Sequence, residues 1–397
     1  MKIGWRPFPV ALLLGLVSET LFLIHLSRPS VVIFDEVHYV RAARVLQRLA
    51  GPTNIEHPML GKECIALGMA LFGDDAFGWR FFSTIAGSAV VMGLFAIGWL
   101  SFGRMRPAVA GAVLAVLNFT LFVQARIAML DGYMAAFVVL GIAAMLWAMR
   151  APVGRAGWQI ALAGVLLGLA VGAKWTALPY IGFAGIAWLV RRPTLSSIKG
   201  VAILGATSLA AYLLTFAPAF FYASDPLTLR TLLPFQAEMF AQQIQVLPAH
   251  VYQSRWWSWP LMLRPIWYFY ENADGALRGI LLVGNPLVMW GGLIAVAACL
   301  WDRSPRSRAI AALWLSSWLM WAIIPKSLGF FYYYYLSTLF LPLVLAAALD
   351  RFGRKHWDEW FTVASFALFA FFYPILSGGA LADGGAFHRW TWFTSWI

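Results

Sequence analysis

The chain has 397 residues, of which 61% are hydrophobic and 12% are charged. A soluble globular domain carries about 25% charged and about 45–50% apolar residues, so this composition excludes that class. It also excludes a disordered chain, because disorder requires low hydrophobicity. The formal net charge of +12 suggests nucleic-acid binding, but in a membrane protein an excess of basic residues on one side of the membrane has the same sign. Cys64 and Cys299 stand far apart and offer neither a disulfide framework nor a thiolate metal site.

Eleven long apolar runs predict an all-α polytopic membrane protein with about 11 transmembrane helices, since one span needs about 20 apolar residues. The runs cover residues 8–27, 77–101, 107–123, 132–149, 158–173, 175–190, 200–222, 280–301, 309–324, 331–349 and 358–377. The first run resembles a secretory signal in its basic start, but it is long, lacks a small-x-small exit and precedes ten further runs. We therefore expect residues 1–397 to form a single transmembrane domain.

The distribution of basic residues predicts the orientation of the chain. With the N-terminus in the cytoplasm, the cytoplasmic segments, which include Lys2, hold 15 basic and 4 acidic residues. The outer segments then hold 14 basic and 12 acidic residues. The net charge is +11 on the cytoplasmic side and +2 outside, which predicts an N-in, C-out topology. The basicity reports orientation, and no nucleic-acid partner is expected.

Two long segments, 28–76 and 223–279, fall on the outer side, whereas every cytoplasmic loop is short. Long loops in compact domains are usually functional or disordered, and the Trp, Pro and charged residues here favour ordered segments with short interfacial helices. Any chemistry is therefore expected at the outer face. Arg41, Arg44 and Arg48 share one side of a helix-like stretch in the first loop, which favours contact with lipid phosphates or with solvent.

Ionisable residues concentrate in the first outer loop. Carboxylates at a membrane boundary are costly unless they are paired or functional, so together they indicate a site for a charged group next to lipid. The set is Asp35, Glu36, Glu56, His57, Lys62, Glu63 and Arg80. Glu56, His57 and Glu63 could in principle bind a metal, but no ligand spacing supports this, and no metal site is predicted.

Short outer turns add further charged and aromatic side chains. Arg126 and Asp131 lie at the outer end of a helix pair, and Lys174 stands between two apolar runs. A buried lysine needs an anion, which leaves open an ion pair with Asp131 or Asp35, or a ligand phosphate.

Aromatic residues also cluster on the outer side. An interfacial belt is the favoured interpretation of Tyr332 to Tyr335. The Trp-rich second loop, which includes Trp257, favours an interfacial anchor or a carbohydrate site, with Arg255, Arg264 and His250 as further polar contacts.

Six segments, in order along the chain, resemble the protein O-mannosyltransferases, within the C superfamily of glycosyltransferases that use lipid-linked sugars. They are FDEVHY, EHPMLGK, QARIAMLDGYMAAF, GLAVGAKWTALPY, WWSWPLMLRPIWYFYE and RWTWFTSWI, spanning residues 34–397. Two departures are visible. The sequence has HPM where the family pattern has HPP, and there is no room for the soluble domain that eukaryotic members insert in the second long loop. The first departure is minor and the missing domain agrees with the compact bacterial type, although the shorter cytoplasmic and terminal regions leave acceptor recognition open.

The resemblance implies transfer of mannose from a polyprenyl-phosphate donor to Ser or Thr of exported proteins. It implies Asp35 as catalytic base and Arg80 as a contact of the donor phosphate, with Lys174 near the same site. Glu36 is expected to support the base by orienting a helix end or binding peptide. Arg126 and Lys62 are further candidates for the donor phosphate. His57, Asp131, Trp257 and Tyr333 are candidates for acceptor or sugar contacts.

The residue inventory suits a phosphate leaving group. A glycosidase needs a second carboxylic acid to protonate its leaving group, whereas a lipid phosphate leaves as an anion that cations can stabilise. One base and several cations therefore favour direct displacement with inversion, with no cofactor and no divalent metal required.

Two alternatives stay open: a related transferase that delivers aminoarabinose or another sugar to a lipid or glycan, and a lipid-linked-sugar transporter. A transporter would be expected to carry inverted repeats with helices broken near mid-membrane, and no such symmetry is visible. The expected location is the plasma membrane, with the active site facing outward, or the endoplasmic reticulum in a eukaryote. The expected partners are membrane lipids and secreted polypeptides, with the export machinery as a further candidate.

Overall fold

The computed structural model describes residues 6–397, so Lys2 of the predicted cytoplasmic start lies outside the described residues. Sixteen α-helices make up most of this part of the chain. They are α1 (Pro7–Leu23), α2 (Glu36–Gln47), α3 (Leu60–Phe72), α4 (Ala76–Phe102), α5 (Met105–Val116), α6 (Phe119–Gln124), α7 (Leu130–Arg150), α8 (Gly157–Ala173), α9 (Leu178–Arg191), α10 (Ser196–Leu214), α11 (Leu232–Gln243), α12 (Pro286–Trp301), α13 (Pro305–Leu319), α14 (Tyr335–Thr338), α15 (Leu341–Phe352) and α16 (Trp357–Leu376).

Most predicted apolar runs coincide with helices, but fewer than 11 helices are long enough to cross a membrane alone. Four segments within residues 6–397 meet the length and composition of a span: Ala76–Phe102, Leu130–Arg150, Ser196–Phe221 and Trp357–Leu376. A fifth is formed if Phe331–Thr338 and Leu341–Phe352, which meet at 42°, are counted together. The remaining apolar helices are shorter. A polytopic helical protein is therefore confirmed, while the count of 11 and the orientation stay predictions.

Buried asparagines explain how the run 107–123 can break between α5 and α6. The Asn118 amide donates to the Thr338 carbonyl at 3.2 Å and its oxygen accepts the Asn285 backbone N–H at 3.1 Å. The Asn285 amide in turn donates to the carbonyls of Leu117 and Ser365, each at 3.0 Å. Backbone groups freed by a helix break in an apolar environment must find partners inside the protein, and the Asn285 amide supplies one for the Leu117 carbonyl.

The second outer loop contains a small sheet, so the prediction of an all-α protein was wrong at this point. Strands β1 (Ile266–Ala273) and β2 (Ala276–Leu282) form an antiparallel hairpin, and β3 (Ala380–Leu381) pairs with β2. Asp274 and Gly275 both have positive φ, which is the signature of the two-residue Asp-Gly hairpin turn. The predicted run 280–301 therefore begins as a strand, and its helix starts only at Pro286.

The C-terminal segment packs against this hairpin. The Trp396 indole donates to the Met262 carbonyl at 2.7 Å, and the Trp267 indole donates to the Trp396 carbonyl at 2.9 Å. The Arg264 guanidinium bonds to the carbonyls of Ser395 and Ile397. Arg264 therefore fixes the C-terminal segment. The other end of the second outer loop contributes to the site described below.

The first outer loop carries α2 and α3, as expected from its sequence. Of the three arginines on α2, Arg44 forms a bidentate pair with Asp74 at 2.7 and 2.9 Å and lies 5.5 Å from the Trp79 ring. Arg44 therefore ties the loop to the start of α4 instead of facing away from the protein, whereas Arg41 and Arg48 are exposed.

Candidate functional site

A polar cavity of about 230 Å³ opens between the two outer loops and is named here the outer pocket. Its wall comes from four parts of the chain: α2 with the loop after it, the segment following α8, the end of α11, and residues 326–333. The titratable side chains lining it are Asp35, His38, Tyr39, Glu56, His57, Lys174, Lys326, Tyr332 and Tyr333. Three separate sequence segments that carried the predicted site thus meet in one cavity.

Asp35 stands at the first position before α2, and its side chain faces the outer pocket. Burial raises the pKa of this carboxyl to about 6, while the positive charge of Lys174 acts in the opposite direction. A base works best when its pKa lies near the working pH. Asp35 is therefore placed and tuned to accept a proton from a group entering the pocket.

Glu36 points away from the pocket into the protein and is completely buried. Its carboxylate forms a bidentate pair with Arg80, at 2.8 Å for both bonds, and accepts the backbone N–H groups of Ile33 and Ala128 at 2.9 Å. The bond to Ile33 shapes the entry to α2, which agrees with the expectation that Glu36 orients a helix end. Consecutive carboxylates thus have different roles, one facing the pocket and one the interior.

Arg80 does not reach the outer pocket, so the geometry gives no support to its predicted contact with a donor phosphate. The side chain is 1% exposed, and its donors go to Glu36 and to the carbonyls of Leu26, Pro29 and Val31. All five N–H groups of a guanidinium are then used. Arg80 ties the start of α4 to the end of the first span and to α2.

Arg126 and Lys62 are also occupied by the protein itself. Arg126 donates to the carbonyls of Phe22, Ile24 and His25, at the end of α1. Lys62 donates to the carbonyls of Thr53, Asn54 and His57, at 2.8 to 3.3 Å. Burial lowers the pKa of Lys62 to about 8. Both cations shape the chain around the pocket, and neither lines it, which argues against their predicted role at a phosphate.

The sequence left two roles open for Lys174, a structural ion pair or a contact with a ligand phosphate, and the position of its ammonium group is compatible with both. Its ammonium bonds both oxygens of Asp131, at 2.7 and 2.9 Å, and both side chains are almost completely buried. The same ammonium lines the outer pocket and lies 5.2 and 5.7 Å from the rings of Tyr332 and Tyr333. Lys174 is thus a structural ion pair whose charge also acts on the pocket, whereas Asp131 is held in that pair.

Replacement of Lys174 with Met is expected to destabilise the protein by about 3–5 kcal/mol, because it leaves the Asp131 carboxylate buried without its cation. The thermal midpoint of the detergent-solubilised protein should fall measurably. The double variant Lys174→Met/Asp131→Leu removes both charges and should regain most of the loss. Equal midpoints for the single variant and the wild type would contradict this role for the pair.

The aromatic residues divide differently from the prediction. Tyr332 and Tyr333 line the outer pocket, whereas Tyr334 and Tyr335 are 0% and 1% exposed. A completely buried side chain cannot belong to an interfacial belt, so that interpretation was wrong for this run. Trp257 is 50% exposed and does not line the pocket, which argues against its predicted sugar contact and fits an anchor. The indole in the pocket is Trp175.

Two contributors to the pocket, Lys326 and Gln243, were not predicted as site residues. Lys326 donates to the backbone and side-chain oxygens of Gln243, and burial lowers its pKa to about 8. A lysine that directly follows an apolar run, in IIPKSLG, was the available signal. Gln243 ends α11 and also contacts His57. His57 itself lies in the pocket, as its prediction as a contact residue requires.

An apolar groove of about 650 Å³ adjoins the outer pocket. Four residues belong to both cavities: Trp175, Thr176, Gln243 and Lys326. The rest of its wall comes mainly from apolar residues of helices α8 to α11 and from residues 244, 324 and 325, with Ser208, Tyr212 and Gln236 as polar members. The outer pocket therefore continues directly into the apolar groove, and Lys326 lies at the junction.

Comparisons with known proteins point to one family. The family model described as dolichyl-phosphate-mannose-protein mannosyltransferase matches residues 72–224. The model of the C-terminal four-helix membrane region of protein O-mannosyltransferase matches residues 228–302. Together the two models match more than half of the chain. A polyprenol-phosphate-mannose–protein mannosyltransferase of Mycobacterium tuberculosis is 28% identical over 99% of this chain and 92% of its own length. One of Corynebacterium glutamicum is 25% identical over 92% of this chain and 88% of its own.

Solved structures agree on the fold. The Saccharomyces cerevisiae protein O-mannosyltransferase Pmt1-Pmt2 complex, bound to the sugar donor, matches with a TM-score of 0.85 and 14% identity, over 100% of this chain and 93% of the other. ArnT from Cupriavidus metallidurans, bound to undecaprenyl phosphate, matches with a TM-score of 0.65 and 15% identity, over 90% of this chain and 63% of the other. The order of the motifs, the assembled pocket and these matches lead to one conclusion: the chain belongs to the dolichyl-phosphate-mannose-protein mannosyltransferase family.

Proposed function

We propose that this protein transfers mannose from a polyprenyl-phosphate donor to Ser or Thr hydroxyls of a polypeptide. The observation that carries the proposal is the junction of the two cavities: a base, Asp35, in a cation-lined polar pocket that continues into an apolar groove. A lipid-linked sugar has the same two-part character, with a polar sugar phosphate joined to an apolar chain. The named mannosyltransferase relatives support the choice of mannose and of a protein acceptor.

The reaction follows from the groups in the pocket. The acceptor oxygen attacks the anomeric carbon while the bond from that carbon to the phosphate oxygen breaks. The hydroxyl proton goes to the Asp35 carboxylate, and the bonding electrons leave with polyprenyl phosphate. Since the nucleophile enters opposite the leaving group, the anomeric configuration inverts. One carboxylate base is sufficient because the leaving group is already a stable anion.

Lys326 is the cation best placed for the departing phosphate. It lines both cavities, and its two bonds to Gln243 leave the third N–H of its ammonium group for a ligand, whereas Arg80, Arg126 and Lys62 line neither cavity. The charge of Lys174 adds to the positive field from the other side of the pocket. The preorganised cations stabilise the charge that develops on the phosphate oxygen. We keep the prediction that no divalent metal is required, which an activity measurement in excess EDTA tests.

The apolar groove is assigned to the isoprenoid chain, and a bulky residue placed in it should weaken use of the donor. Gly205 lines the groove, and a Cβ atom there has no neighbour within 4 Å, so Gly205→Phe should place a ring in the groove with no clash at its Cβ. We expect KM for polyprenyl-phosphate-mannose to rise about tenfold or more, because burial of several CH2 groups at about 0.8 kcal/mol each is lost. The measurement is initial rate against donor concentration in detergent micelles.

Gly182→Phe is the matched control. Gly182 is also an exposed helical glycine with open space around its Cβ position, but it does not line the groove. Its KM for the donor should stay close to that of the wild type. If both variants raise KM equally, or neither does, the groove does not hold the lipid chain.

Product analysis tests the function itself. Purified protein is incubated with polyprenyl-phosphate-mannose and a Ser/Thr-rich peptide, and the peptide is weighed by mass spectrometry. The proposal requires one added hexose that disappears when Ser and Thr are replaced with Ala. A sugar found on a lipid and not on the peptide would favour the lipid-directed alternative, and donor movement across vesicles without a product would favour a transporter.

The outer pocket is proposed to face the outside of the plasma membrane in an N-in, C-out orientation. The charge asymmetry of the chain supports this, since cytoplasmic loops attract Lys and Arg. The acceptor would then be a secreted polypeptide arriving at that face, with the export machinery as its supplier. Cysteine substitutions in the second outer loop should react with a membrane-impermeant maleimide added to intact cells; reaction only after lysis would reverse the orientation.

A further inference from the structure

A chain of four hydrogen-bonding side chains runs from the mouth of the apolar groove toward the base. Its members, in order, are Lys326, Gln243, His57 and Tyr39, and the last of these stands one helical turn from Asp35 in the wall of the same pocket. We propose that every donor in this chain points toward Asp35, so that the chain holds one tautomer of His57 and directs the Tyr39 hydroxyl hydrogen at the base. Gln243 and Tyr39 are then positioning residues of the proposed transfer reaction.

The hydrogen bond from Lys326 to Gln243 sets the direction of donation along the chain. The Lys326 ammonium bonds the backbone oxygen of Gln243 at 3.2 Å and also the side-chain oxygen of the same residue. An ammonium group only donates, so the amide oxygen of Gln243 must face Lys326. The amide nitrogen therefore faces the opposite way, toward the first outer loop. There it donates to the backbone carbonyl of Glu56, which accepts only.

The second link determines the tautomer of His57. The amide nitrogen of Gln243 lies 3.1 Å from Nδ1 of His57. Since the amide nitrogen is a donor, Nδ1 must be the acceptor, and the single proton of a neutral imidazole sits on Nε2. Burial lowers the pKa of His57 well below its usual value, and the positive charge of Lys174 adds to the effect. The ring therefore stays neutral, and its tautomer stays defined, across the working pH range.

The third hydrogen bond joins His57 to Tyr39, which lies next to the proposed base. Nε2 of His57 lies 3.5 Å from the Tyr39 hydroxyl, which is in a side chain only 3% exposed. Since Nε2 carries the proton, the hydroxyl oxygen accepts the hydrogen bond from Nε2–H, and the hydrogen of the hydroxyl is free to point elsewhere. Tyr39 follows Asp35 by one helical turn on the same face of α2, and its hydroxyl acts to lower the pKa of the Asp35 carboxyl.

The consequence is a base that remains an acceptor although it is buried. Burial alone favours the protonated carboxyl, and hydrogen bonds donated to the charged form favour the carboxylate. Other charged groups also face Asp35, and their effects must be separated from that of the chain: Lys174 and His38 favour its charged form, while Asp131 opposes it. Removing a donor from the chain should therefore raise the pKa of Asp35 and move the acid side of the activity profile to higher pH.

Two variants test the chain through the pH profile of kcat, an arm that rests on the proposed function. Tyr39→Phe removes the donor itself and should move the acid limb upward by about one pH unit. Gln243→Leu removes the hydrogen bond that fixes the tautomer of His57, and it should move the acid limb in the same direction by a smaller amount. Tyr270→Phe and Gln47→Leu are controls, because each loses a structural hydrogen bond, to Gly384 or Ala66, outside the pocket. An acid limb that does not move in either pocket variant overturns the proposal.

A measurement without activity separates this inference from the proposed function. Nitrogen-15 NMR of histidine-labelled protein, with His57→Gln to identify the signal, reports which ring nitrogen carries the proton. The chain requires the Nε2–H tautomer in the wild type and a mixture in Gln243→Leu. The Nδ1–H tautomer in the wild type overturns it. If the wild type transfers no mannose at any pH, the proposed function fails, and this spectrum alone decides whether the chain exists.

Discussion

Replacement of Asp35 with Asn is expected to lower the rate of mannosyl transfer by about 10²–10⁴-fold, the usual contribution of a general base. The side chain keeps its size and its place before α2, but it can no longer take the proton of the acceptor hydroxyl. Because the pKa of Asp35 is about 6, the wild-type rate should rise with pH through that value as the carboxylate forms. The measurement is initial rate of peptide mannosylation between pH 4.5 and 8.

The Asp35→Asn variant should still fold and bind the donor lipid, since the apolar groove does not include Asp35. Asp225→Asn is the matched control, because that carboxylate is exposed in the second outer loop and a positive φ of 49° suits Asn as well as Asp. Its rate should equal that of the wild type. Full activity in Asp35→Asn would remove Asp35 from the role of base.

Breaking the Glu36–Arg80 pair is expected to have a large effect on stability. Arg80→Met leaves Glu36 buried without its cation, and Glu36→Gln leaves Arg80 uncompensated; each should cost about 3–5 kcal/mol. Both variants should express at low levels as folded protein and melt at lower temperature in detergent. The loss should reach the pocket indirectly, because the pair connects α4 to the residue next to the base.

The Arg44–Asp74 pair provides the comparison. It has similar bidentate geometry, but its two side chains are 42% and 47% exposed, so Arg44→Met should cost less than about 1 kcal/mol. Fluorescence-detected size-exclusion chromatography after stepwise heating measures all the variants alike. A stable Arg80→Met protein with specifically weakened donor binding would restore the original prediction that Arg80 contacts the phosphate.

The site was predictable in part. Asp35, His57, Lys174 and Tyr333 were named from the sequence, and all four line the outer pocket. Burial determined which of the predicted cations stay inside the protein. Arg80, Arg126 and Lys62 look like ligands for an anion in the sequence because a charge near the membrane must have a partner. The sequence could not indicate that this partner is a carboxylate or a set of backbone carbonyls.

Lys326 and Gln243 were missed for a related reason. Neither stands in a motif with another charged residue, and each acquires its role only where α11 meets the segment after α13 and the first outer loop. The hairpin of the second loop was missed because its apolar strand β2 continues into an apolar helix, so hydropathy alone reads one span. The Asp-Gly turn was the local signal against that interpretation.

Composition and hydropathy by themselves determined that this is a polytopic helical membrane protein, because 61% apolar residues cannot be buried in a soluble chain of this length. The order of its motifs indicated the family, and the resemblance then marked the first of the adjacent acids at 35 and 36 as the proposed base. Only the tertiary structure decided which charge faces the pocket and which faces the interior. That decision depends on desolvation: a buried ion must be paired within the protein, and only the folded chain brings residues 36 and 80, or 131 and 174, within hydrogen-bonding distance.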